Sequence, residues 1–469
     1  MGKYFGTDGI RGVANADLNA ELAYRVGLAA ALVLSEEARK RATESNVAPS
    51  STGISSNKPM IVIGKDTRIS CDMLEAAITA GMCAAGADVM ALGIVPTPTV
   101  AFIAAATGAD AGVVISASHN PYEHNGIKIF SGSGFKLSDE IEDRIEALID
   151  DTSVTPGKLG GDIGKTIRRS SEYVDAYIAH VRGCMDGDVS NLRVVIDCAN
   201  GASCRTALQI FDGFKELKLI GNEPDGVNIN DGYGSTDMKK LSEAVLAGGY
   251  DIGIAFDGDA DRCLIIDECG EMVDGDKIMA VCSDALKADG KLKNNGVAVT
   301  VMSNHGLNEF AGNHDITLHE TKVGDRYVLE KMLELDLAIG GEQSGHVIFL
   351  EDSTTGDGQL TAVKFLSALA RSGKNVSELA SVMRTYPQVL INIPLKQGQK
   401  DALEQDSVLA DAIREVSEKL GADGRVLVRA SGTEPLFRVM TQASQEEIAN
   451  KYALELVEII ERRAKEVSE

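Results

Sequence analysis

Short apolar runs alternate with longer amphipathic segments through the first three quarters of the chain. The runs are unbroken, as is typical of strands that are covered on both faces of a parallel sheet. The predicted strands of this kind are Met60–Gly64, Asp88–Leu92, Ala111–Ile115, Leu192–Asp197, Tyr250–Phe256, Val297–Met302 and Leu337–Gly340. An Ala-rich helix is predicted at Asp72–Ala85. This alternation predicts an α/β fold class with mixed, mostly parallel sheets.

The last part of the chain has a different pattern. Strands are predicted at Val389–Leu395, Arg425–Ala430 and Phe437–Gln442, and the short gap between the last two favours a hairpin. A final helix is predicted from Gln445 to Lys465. We therefore expect a C-terminal α+β domain. The change of pattern at Leu379–Gln388 predicts a hinge in front of it.

Charge and composition narrow the possible partners. Acidic residues outnumber basic ones by 70 to 46 over 469 residues, which gives a net charge of −24. Such a chain repels nucleic acid and anionic membranes, so neither is expected as a partner. No apolar run approaches the roughly 18 residues of a membrane span. The N-terminus has no apolar signal core, so a cytoplasmic protein is expected. Eight cysteines without a Cys-x-x-Cys pair favour reduced thiols over a zinc site.

A first polar motif follows the predicted strand Ala111–Ile115 and extends to Lys128. It contains two serines, a histidine and an Asn-Pro turn. Ligands of α/β proteins bind at the ends of parallel strands. A serine exposed there is a candidate nucleophile or phosphoryl carrier. The alternative is a plain junction between a strand and a turn.

A second motif places Asp257, Asp259 and Asp261 directly after the predicted strand Tyr250–Phe256. Side chains at alternate positions converge when the chain turns tightly, and hard oxygen ligands in this number suit Mg²⁺. The alternative is a solvated acidic turn. It is disfavoured because packed carboxylates repel one another unless a cation neutralises them.

A third motif, Gly340–His346, is rich in glycine and carries Glu342 and Ser344. A glutamate with a neighbouring hydroxyl can hold two adjacent sugar hydroxyls. The alternative is a tight turn whose polar side chains face solvent.

A fourth motif combines arginines with a Ser-Gly-Thr turn. Its members are Arg429, Ser431, Gly432, Thr433 and Arg438. Backbone N–H groups, hydroxyls and guanidinium groups in one loop make a phosphate cradle. The loop lacks the Gly-Lys-Ser/Thr signature of a Walker A motif. The alternative is a structural hairpin turn with solvated arginines.

The N-terminal segment Phe5–Gly12 is unusually rich in glycine. Its Arg11 is a possible phosphate contact. The alternative is a structural turn in which Arg11 pairs with an acid.

Together these motifs closely resemble the α-D-phosphohexomutase superfamily. The likeness covers nearly the whole chain, and the motifs occur in the order typical of the superfamily. Together with the segment Thr321–Arg326, they favour its amino-sugar branch. It implies four domains around one central cleft, each with one functional loop. The implied domains are 1–155 with the phosphoserine, 156–272 with the metal loop, 273–380 with the sugar-binding loop and 381–469 with a phosphate-binding loop.

The resemblance also implies a role for each motif residue. Ser118 would carry the phosphoryl group, and one Mg²⁺ per chain would be held by that phosphate with Asp257, Asp259 and Asp261. Glu342 and Ser344 would bind sugar hydroxyls. The phosphate that does not react would be bound by Arg429, Ser431, Gly432, Thr433 and Arg438. Arg11, His119, Lys128 and Arg262 would line the transfer centre.

The acid–base group stays open at this point. Lys128 is a candidate general base or electrostatic helper, with His119 as the second candidate. Neighbouring cations would lower the pKa of Lys128. The alternative for Lys128 is a pure phosphate contact. Asp325 stands where related phosphohexose mutases have a histidine.

The implied activity is the interconversion of glucosamine 6-phosphate and glucosamine 1-phosphate. Glucosamine 1,6-bisphosphate would be both primer and intermediate, and the product would feed UDP-N-acetylglucosamine and cell-wall synthesis. The expected partner is a small hexosamine phosphate, and the chain would be a monomer or a homodimer. The alternatives are a phosphoglucomutase or phosphomannomutase, a Mg²⁺-dependent sugar phosphatase, and a sugar-phosphate sensor without catalysis.

Overall fold

The computed structural model describes residues 2–6, 8–45, 58–167, 170–431 and 435–466. Within them the chain forms four sheets. Short 3₁₀ helices at Gly160–Asp162, Ala202–Arg205, Lys293–Asn295 and Gly421–Asp423 lie in the connections.

The first sheet is mixed and has helices on both faces. Its strands are β1 (Phe5–Gly6), β2 (Gly9–Val13), β3 (Met60–Lys65), β4 (Asp88–Ile94), β5 (Ala111–Ile115), β6 (His124–Ser131) and β7 (Thr166–Ile167). The helices are α1 (Ala20–Ser45), α2 (Cys71–Ala84), α3 (Thr97–Thr107) and α4 (Asp139–Asp150). The strand order is β1-β2-β6-β5-β3-β4-β7. The pairs from β5 through β3 and β4 to β7 are parallel.

Side chains alternate between the two faces of this sheet. Ile61 and Ile63 of β3 join the core under α1, α2 and α4, whereas Val62 joins the core under α3. The edge strand β7 lies beyond the predicted boundary at residue 155, so the first sheet extends past that residue. The Ser/Asn/Pro-rich composition of Thr43–Pro59 predicts a surface loop. Residues 43–45 instead belong to α1, and residues 46–57 lie outside the described residues.

The second sheet contains β8 (Arg193–Asp197), β9 (Glu216–Ile220), β10 (Ile252–Phe256), β11 (Cys263–Asp267) and β12 (Met272–Val273). Its helices are α5 (Ser170–Gly183), α6 (Ala207–Ile210) and α7 (Lys239–Gly248). The strand order is β12-β11-β10-β8-β9. Strands β10, β8 and β9 are parallel, and β11 and β12 continue the sheet in antiparallel pairs.

The third sheet contains β13 (Gly296–Thr300), β14 (Thr317–Thr321), β15 (Ile339–Gly341) and β16 (Val347–Phe349). The helices around it are α8 (Gly275–Ala288), α9 (His305–Asn313), α10 (Asp325–Glu334), α11 (Gly358–Ser372) and α12 (Val376–Ala380). The strand order is β14-β13-β15-β16, with only the β15–β16 pair antiparallel among these described strands.

The C-terminal part is α+β, as predicted. Strands β17 (Gln388–Pro394), β18 (Gly424–Ala430) and β19 (Leu436–Ala443) form an antiparallel sheet in the order β17-β19-β18. Its helices are α13 (Gln397–Leu403), α14 (Ser407–Leu420) and α15 (Glu446–Glu466). In the described part of the chain, no helix combines the length and the apolar character that crossing a membrane requires.

The cores of these units are connected unequally. One contiguous apolar cluster includes Val100 of α3, Val194 of β8 and Val297 of β13, so it joins the first three units. The C-terminal unit has its own cluster around Leu409, Phe437 and Leu456. Apolar packing therefore holds three units together and leaves the fourth with a core of its own.

All four motif loops join antiparallel neighbours. They connect β5 with β6, β10 with β11, β15 with β16 and β18 with β19. The sequence predicts only the last of these hairpins. The strands β6, β11 and β16 that return after the other loops turn each parallel sheet into a mixed one.

Candidate active site

Ser118 lies in the loop between β5 and β6 and is almost fully buried. Its backbone is left-handed, with φ of 53°, a conformation that is costly for a residue with a Cβ and that is found preferentially at functional sites. The Oγ donates a hydrogen bond to Asp257 Oδ2 at 2.5 Å and lies 3.4 Å from His119 Nδ1. The first two predicted motifs therefore meet at this serine.

Asp257, Asp259 and Asp261 are buried in the loop between β10 and β11. A carboxylate oxygen from each lies within 4.8 Å of the other two. Ala260 adopts φ of 57°, which turns the chain between Asp259 and Asp261. Burial, followed by the charges of Asp261 and Asp259, raises the pKa of Asp257 well above its ordinary value. The cluster is thus held together against strong repulsion.

Two helix N-termini from other units support this metal loop. Thr97 at the start of α3 donates from its backbone N to the Asp259 carbonyl at 2.9 Å and from Oγ1 to Asp259 Oδ2 at 2.7 Å. Gly358 at the start of α11 donates to the Ala260 carbonyl at 3.0 Å. Helix N-termini carry partial positive charge, so both stabilise this acidic loop.

Lys128 of β6 is buried among carboxylates. Its Nζ lies 2.9 Å from Asp259 Oδ2, 3.2 Å from Asp261 Oδ2 and 3.1 Å from Asp8 Oδ2. Burial opposes the charge of Lys128, but the three carboxylates outweigh it and raise the pKa well above the ordinary value. Burial likewise opposes ionisation of Asp259, but Lys128 outweighs it and lowers that pKa. The expectation of a lowered pKa for Lys128 is therefore wrong.

The acidic cluster fits a divalent cation. Within the described residues, Asp259 Oδ1 and Asp261 Oδ1 are buried without a hydrogen-bond partner. Buried carboxylate oxygens are costly unless they are paired or bound to a metal. Several such oxygens, with the Ser118 hydroxyl beside them, are the hard ligands that Mg²⁺ prefers.

His119 and Arg262 lie beside this cluster, as the resemblance implies. Burial, followed by the charges of Arg262 and Arg11, lowers the pKa of His119 to about 4, so the imidazole is neutral at neutral pH. The Arg262 backbone N donates to Asp257 Oδ1 at 3.1 Å. Arg11 forms an ion pair with Asp8, so the structural alternative for the N-terminal motif is present in the structure.

The loop of the third unit lies next to the metal loop. The carbonyl of Gly345 accepts from Cys263 N at 3.0 Å, which joins this loop to the start of β11. Glu342 is half-buried and accepts from Gly324 N at 3.0 Å, whereas Ser344 is exposed.

Lys136 connects the N-terminal motif with the third unit and is not predicted from the sequence. Its Nζ lies 2.7 Å from Asp8 Oδ1 and 2.5 Å from Asp325 Oδ2. Asp325 Oδ2 in turn lies 3.6 Å from His346 Nε2. Burial opposes these charges, but the opposite charges outweigh it, so the pKa of Asp8 is lowered and that of Lys136 is raised. No local signal identifies Lys136, because its partner Asp8 is 128 residues away.

The fourth motif forms a second cluster on the C-terminal unit. Arg429 and Arg438 stand directly opposite each other on β18 and β19. Burial, followed by the charge of Arg438, lowers the pKa of Arg429. Like charges in this arrangement are unfavourable, and an anion bound between them would relieve the repulsion.

Two hydrogen bonds hold the backbone of Ser431, the first residue after β18. Ser431 N donates to the Leu436 carbonyl at 2.8 Å, and Lys400 of α13 donates from a buried Nζ to the Ser431 carbonyl at 2.6 Å. The sequence does not predict the contact of Lys400. The predicted Gly432 and Thr433 lie outside the described residues.

The chain belongs to the phosphoglucomutase/phosphomannomutase family. It matches alpha/beta/alpha domain I over residues 2–155, domain II over 172–270, domain III over 274–386 and the C-terminal domain over 390–459. The family contains mutases, which are isomerases, and the resemblance predicted from the sequence is confirmed.

Relatives that match over their full length are phosphoglucosamine mutases. A phosphoglucosamine mutase of Acetivibrio thermocellus is 50% identical over 99% of this chain and 100% of its own length. One of Clostridium novyi is 47% identical, with the same shares covered.

Solved structures share the fold. A phosphoglucomutase/phosphomannomutase family protein of Burkholderia thailandensis has a TM-score of 0.80 at 24% identity, over 99% of this chain and 98% of its own. The N-acetylphosphoglucosamine mutase of Aspergillus fumigatus, in complex with GlcNAc-6P and magnesium, has a TM-score of 0.70 at 19% identity, over 98% and 96%.

Replacing Asp261 with Asn should remove the stabilisation that Mg²⁺ gives. A ligand that binds only the folded protein stabilises it by about 2.7 kcal/mol at a hundredfold excess over its Kd. We expect the thermal unfolding midpoint of the natural protein to rise with added Mg²⁺, and that of Asp261→Asn to stay constant. The matched control is Asp267→Asn on β11, because Asp267 is buried and its carboxylate accepts from the backbone N of Cys269 and Glu271, away from the acidic cluster. An equal rise in both variants would contradict the assignment of the metal site.

Replacing Arg429 with Gln should stabilise the phosphate-free protein and weaken phosphate binding. The change removes a like-charge pair that costs on the order of 0.5 kcal/mol. We expect a small rise of the unfolding midpoint without ligand and a weaker response to a sugar monophosphate. The control is Arg414→Gln, an exposed arginine on α14 that pairs with Asp411. An unchanged response to the ligand in Arg429→Gln would contradict a phosphate site at this hairpin.

Proposed function

We propose that this chain interconverts glucosamine 6-phosphate and glucosamine 1-phosphate through a phosphoserine at Ser118. The observation that carries the proposal is the hydrogen bond of 2.5 Å from Ser118 Oγ to Asp257, a member of the buried carboxylate cluster. The names of the full-length relatives support the amino sugar as substrate. The 1-phosphate product would feed UDP-N-acetylglucosamine and cell-wall synthesis.

The proposed reaction consists of two phosphoryl transfers. In the first, the bond between phosphorus and Ser118 Oγ breaks, and a bond forms from phosphorus to the free hydroxyl at C1 or C6 of the bound monophosphate. That hydroxyl gives up its proton, and Ser118 becomes a free hydroxyl. In the second, the other phosphate of the glucosamine 1,6-bisphosphate returns to Ser118, and the sugar oxygen that it leaves regains a proton. The bisphosphate also primes an unphosphorylated enzyme.

Asp257, Asp259 and Asp261 would hold one Mg²⁺ together with the Ser118 phosphate. When bound, the cation would neutralise charge on the transferring group. The buried Oδ1 atoms of Asp259 and Asp261, which have no hydrogen-bond partner among the described residues, support this role. Because two of the carboxylates also contact Lys128, the protein supplies part of the counter-charge itself.

Cationic side chains would stabilise the phosphoryl group during transfer. Arg262 lies beside the metal loop, and Lys128 lies within that loop's acidic side chains, so both keep positive charge near the reacting phosphorus. Arg11 is held next to them by Asp8. His119 lies 3.4 Å from Ser118 Oγ, so its position suits the transfer of a proton from a hydroxyl, although its lowered pKa of about 4 makes the imidazole a weak base.

The remaining motifs would hold the substrate. Glu342 and Ser344 would bind sugar hydroxyls, and the phosphate that does not react would be bound by Arg429, Ser431, Gly432, Thr433 and Arg438. The opposed guanidinium groups of Arg429 and Arg438 support an anion site on the C-terminal hairpin. A small hexosamine phosphate is the proposed partner, and a monomer or homodimer stays a prediction.

Phosphorus NMR of the purified chain tests the substrate. With Mg²⁺ and a trace of bisphosphate, glucosamine 6-phosphate should be converted to the 1-phosphate faster than glucose 6-phosphate or mannose 6-phosphate. A preference for glucose or mannose phosphate would contradict the amino-sugar proposal. Release of inorganic phosphate in every tube would indicate a phosphatase instead.

Two serine variants, one at the proposed phosphoserine and one control, test the mechanism in the same assay. Ser118→Ala should abolish conversion, since no other oxygen then carries the phosphoryl group. Ser133→Ala removes an exposed hydroxyl just after β6 and should convert at the natural rate. Full conversion by Ser118→Ala would contradict the phosphoserine mechanism.

A further inference from the structure

Arg68 is a fully buried arginine in the connection between β3 and α2, and no motif of the sequence analysis includes it. Its side chain and that of its ion-pair partner Asp66 are both 0% exposed. The Nε donates to Asp66 Oδ2 at 2.8 Å. A buried guanidinium is retained only where its donors are satisfied, so the acceptors around it indicate its purpose.

Those acceptors are main-chain carbonyls of the loop that carries Ser118. Nη2 donates to the carbonyls of Ser118 at 2.9 Å and Asn120 at 2.8 Å. Nη1 donates to the carbonyls of Pro121 at 2.5 Å and His124 at 3.0 Å. A guanidinium has five N–H donors, and with the bond to Asp66 each of them has an acceptor.

Asp66 also fixes the backbone N–H of Ser118, through the hydroxyl of Ser116. It accepts from Ser116 Oγ at 2.6 Å, and that Oγ accepts in turn from the backbone N of Ser118 at 2.9 Å. Both the N–H and the carbonyl of Ser118 are therefore fixed by the Asp66–Arg68 pair. This arrangement explains how a serine is kept at φ of 53°.

The second unit contributes a further donor to the same two carbonyls. Asn230 Nδ2 donates to the Ser118 carbonyl at 2.9 Å and to the Asn120 carbonyl at 3.2 Å. Asn230 lies on the loop between β9 and α7, so this contact also joins the serine loop to the unit that carries the metal loop.

We propose that Arg68, together with Asn230, is a positioning residue that holds the main chain of Ser118 in its left-handed conformation and so directs Oγ toward the carboxylate cluster. This inference rests on the proposed phosphoserine function. Both side chains bind backbone carbonyls of the serine loop, so each acts through the backbone. A lysine at position 68 has no planar fork and cannot reach four carbonyls and a carboxylate together.

Arg68→Lys tests the inference in two assays. One measures how fast excess glucose 1,6-bisphosphate loads a phosphoryl group onto Ser118, followed by intact mass. The other measures kcat and KM for sugar-phosphate isomerisation. A displacement of about 1 Å at a reacting atom costs roughly 100-fold in rate. We expect about that decrease in the loading rate and in kcat, with KM unchanged because the sugar and phosphate loops lie on other units.

Arg25→Lys is the matched control. Arg25 also lies in the first unit and donates to main-chain carbonyls, those of Ile149, Asp151 and Val154, at the end of α4. It should lower the unfolding midpoint without slowing the loading of Ser118. An Arg68→Lys protein that loads Ser118 at the natural rate, or a control that loads as slowly as Arg68→Lys, would overturn the proposal.

A second pair of variants, at Asn230 and Asn228, tests the proposal if Arg68→Lys does not fold. Asn230 has φ of 60°, so Asn230→Gly removes the donor without straining the backbone. It should slow loading about tenfold, since Arg68 remains. Asn228→Gly removes an equally half-buried amide that bonds to the Glu223 carbonyl, and it should load normally. Equal loading rates in these two variants would overturn the proposal.

A natural protein that loads Ser118 but does not isomerise glucosamine phosphates would contradict the proposed substrate, not the role of Arg68.

Discussion

The repulsion among three buried carboxylates is the constraint on which the arrangement of the first three units depends. Asp257, Asp259 and Asp261 lie within 4.8 Å of one another, away from water, where like charges interact most strongly. Arg262 of the same loop supplies part of their compensation. The rest comes from other units: the Ser118 hydroxyl and the Lys128 ammonium from the first, with the N-termini of α3 and α11 against the loop backbone. Contacts from three units therefore stabilise the acidic loop, and the same contacts place Ser118 beside its carboxylates.

From this loop, charges of alternating sign lead to the third unit. Lys128 contacts Asp8, Asp8 contacts Lys136, and Lys136 contacts Asp325, which lies next to His346 of the Gly340–His346 loop. A partly buried network of this kind is favourable only when every member has its partner, because an unpaired charge away from water is costly. The position of the Gly340–His346 loop is therefore tied electrostatically to the position of Ser118. Asp325 here pairs with a lysine, which gives the carboxylate a structural reason to be at this site.

The sequence predicts those features whose cause is local. The strand Ala111–Ile115 is observed with the predicted bounds, and the motifs around Ser118 and Asp257 meet as expected, because each is a contiguous pattern at a strand end. The returning strand β6 is not predicted, since its first residues are polar and read as a continuation of the loop. Lys136 is missed because its partners are distant along the chain, and Arg68 because the carbonyls that it binds lie 50 to 56 residues away, although its ion-pair partner Asp66 is close. The direction of the pKa shift of Lys128 is mispredicted for the same reason. It depends on Asp8, Asp259 and Asp261, which only the fold places around the ammonium group.

The C-terminal unit obeys a different constraint, because its core is separate from the shared core of the other three. Polar contacts join it to the third unit: Asn304 exchanges hydrogen bonds with the backbone of Tyr386, the backbone N of His305 donates to Gln442, and Arg425 pairs with Glu320. Water can replace most of such bonds at small net cost, whereas separating apolar cores has no comparable compensation. In the proposed reaction, a bisphosphate that presents either end to Ser118 would have to leave the C-terminal hairpin while the carboxylate cluster stays in place. The described contacts divide the molecule accordingly, and the segment between α12 and β17, within the predicted hinge Leu379–Gln388, is where the chain crosses that division.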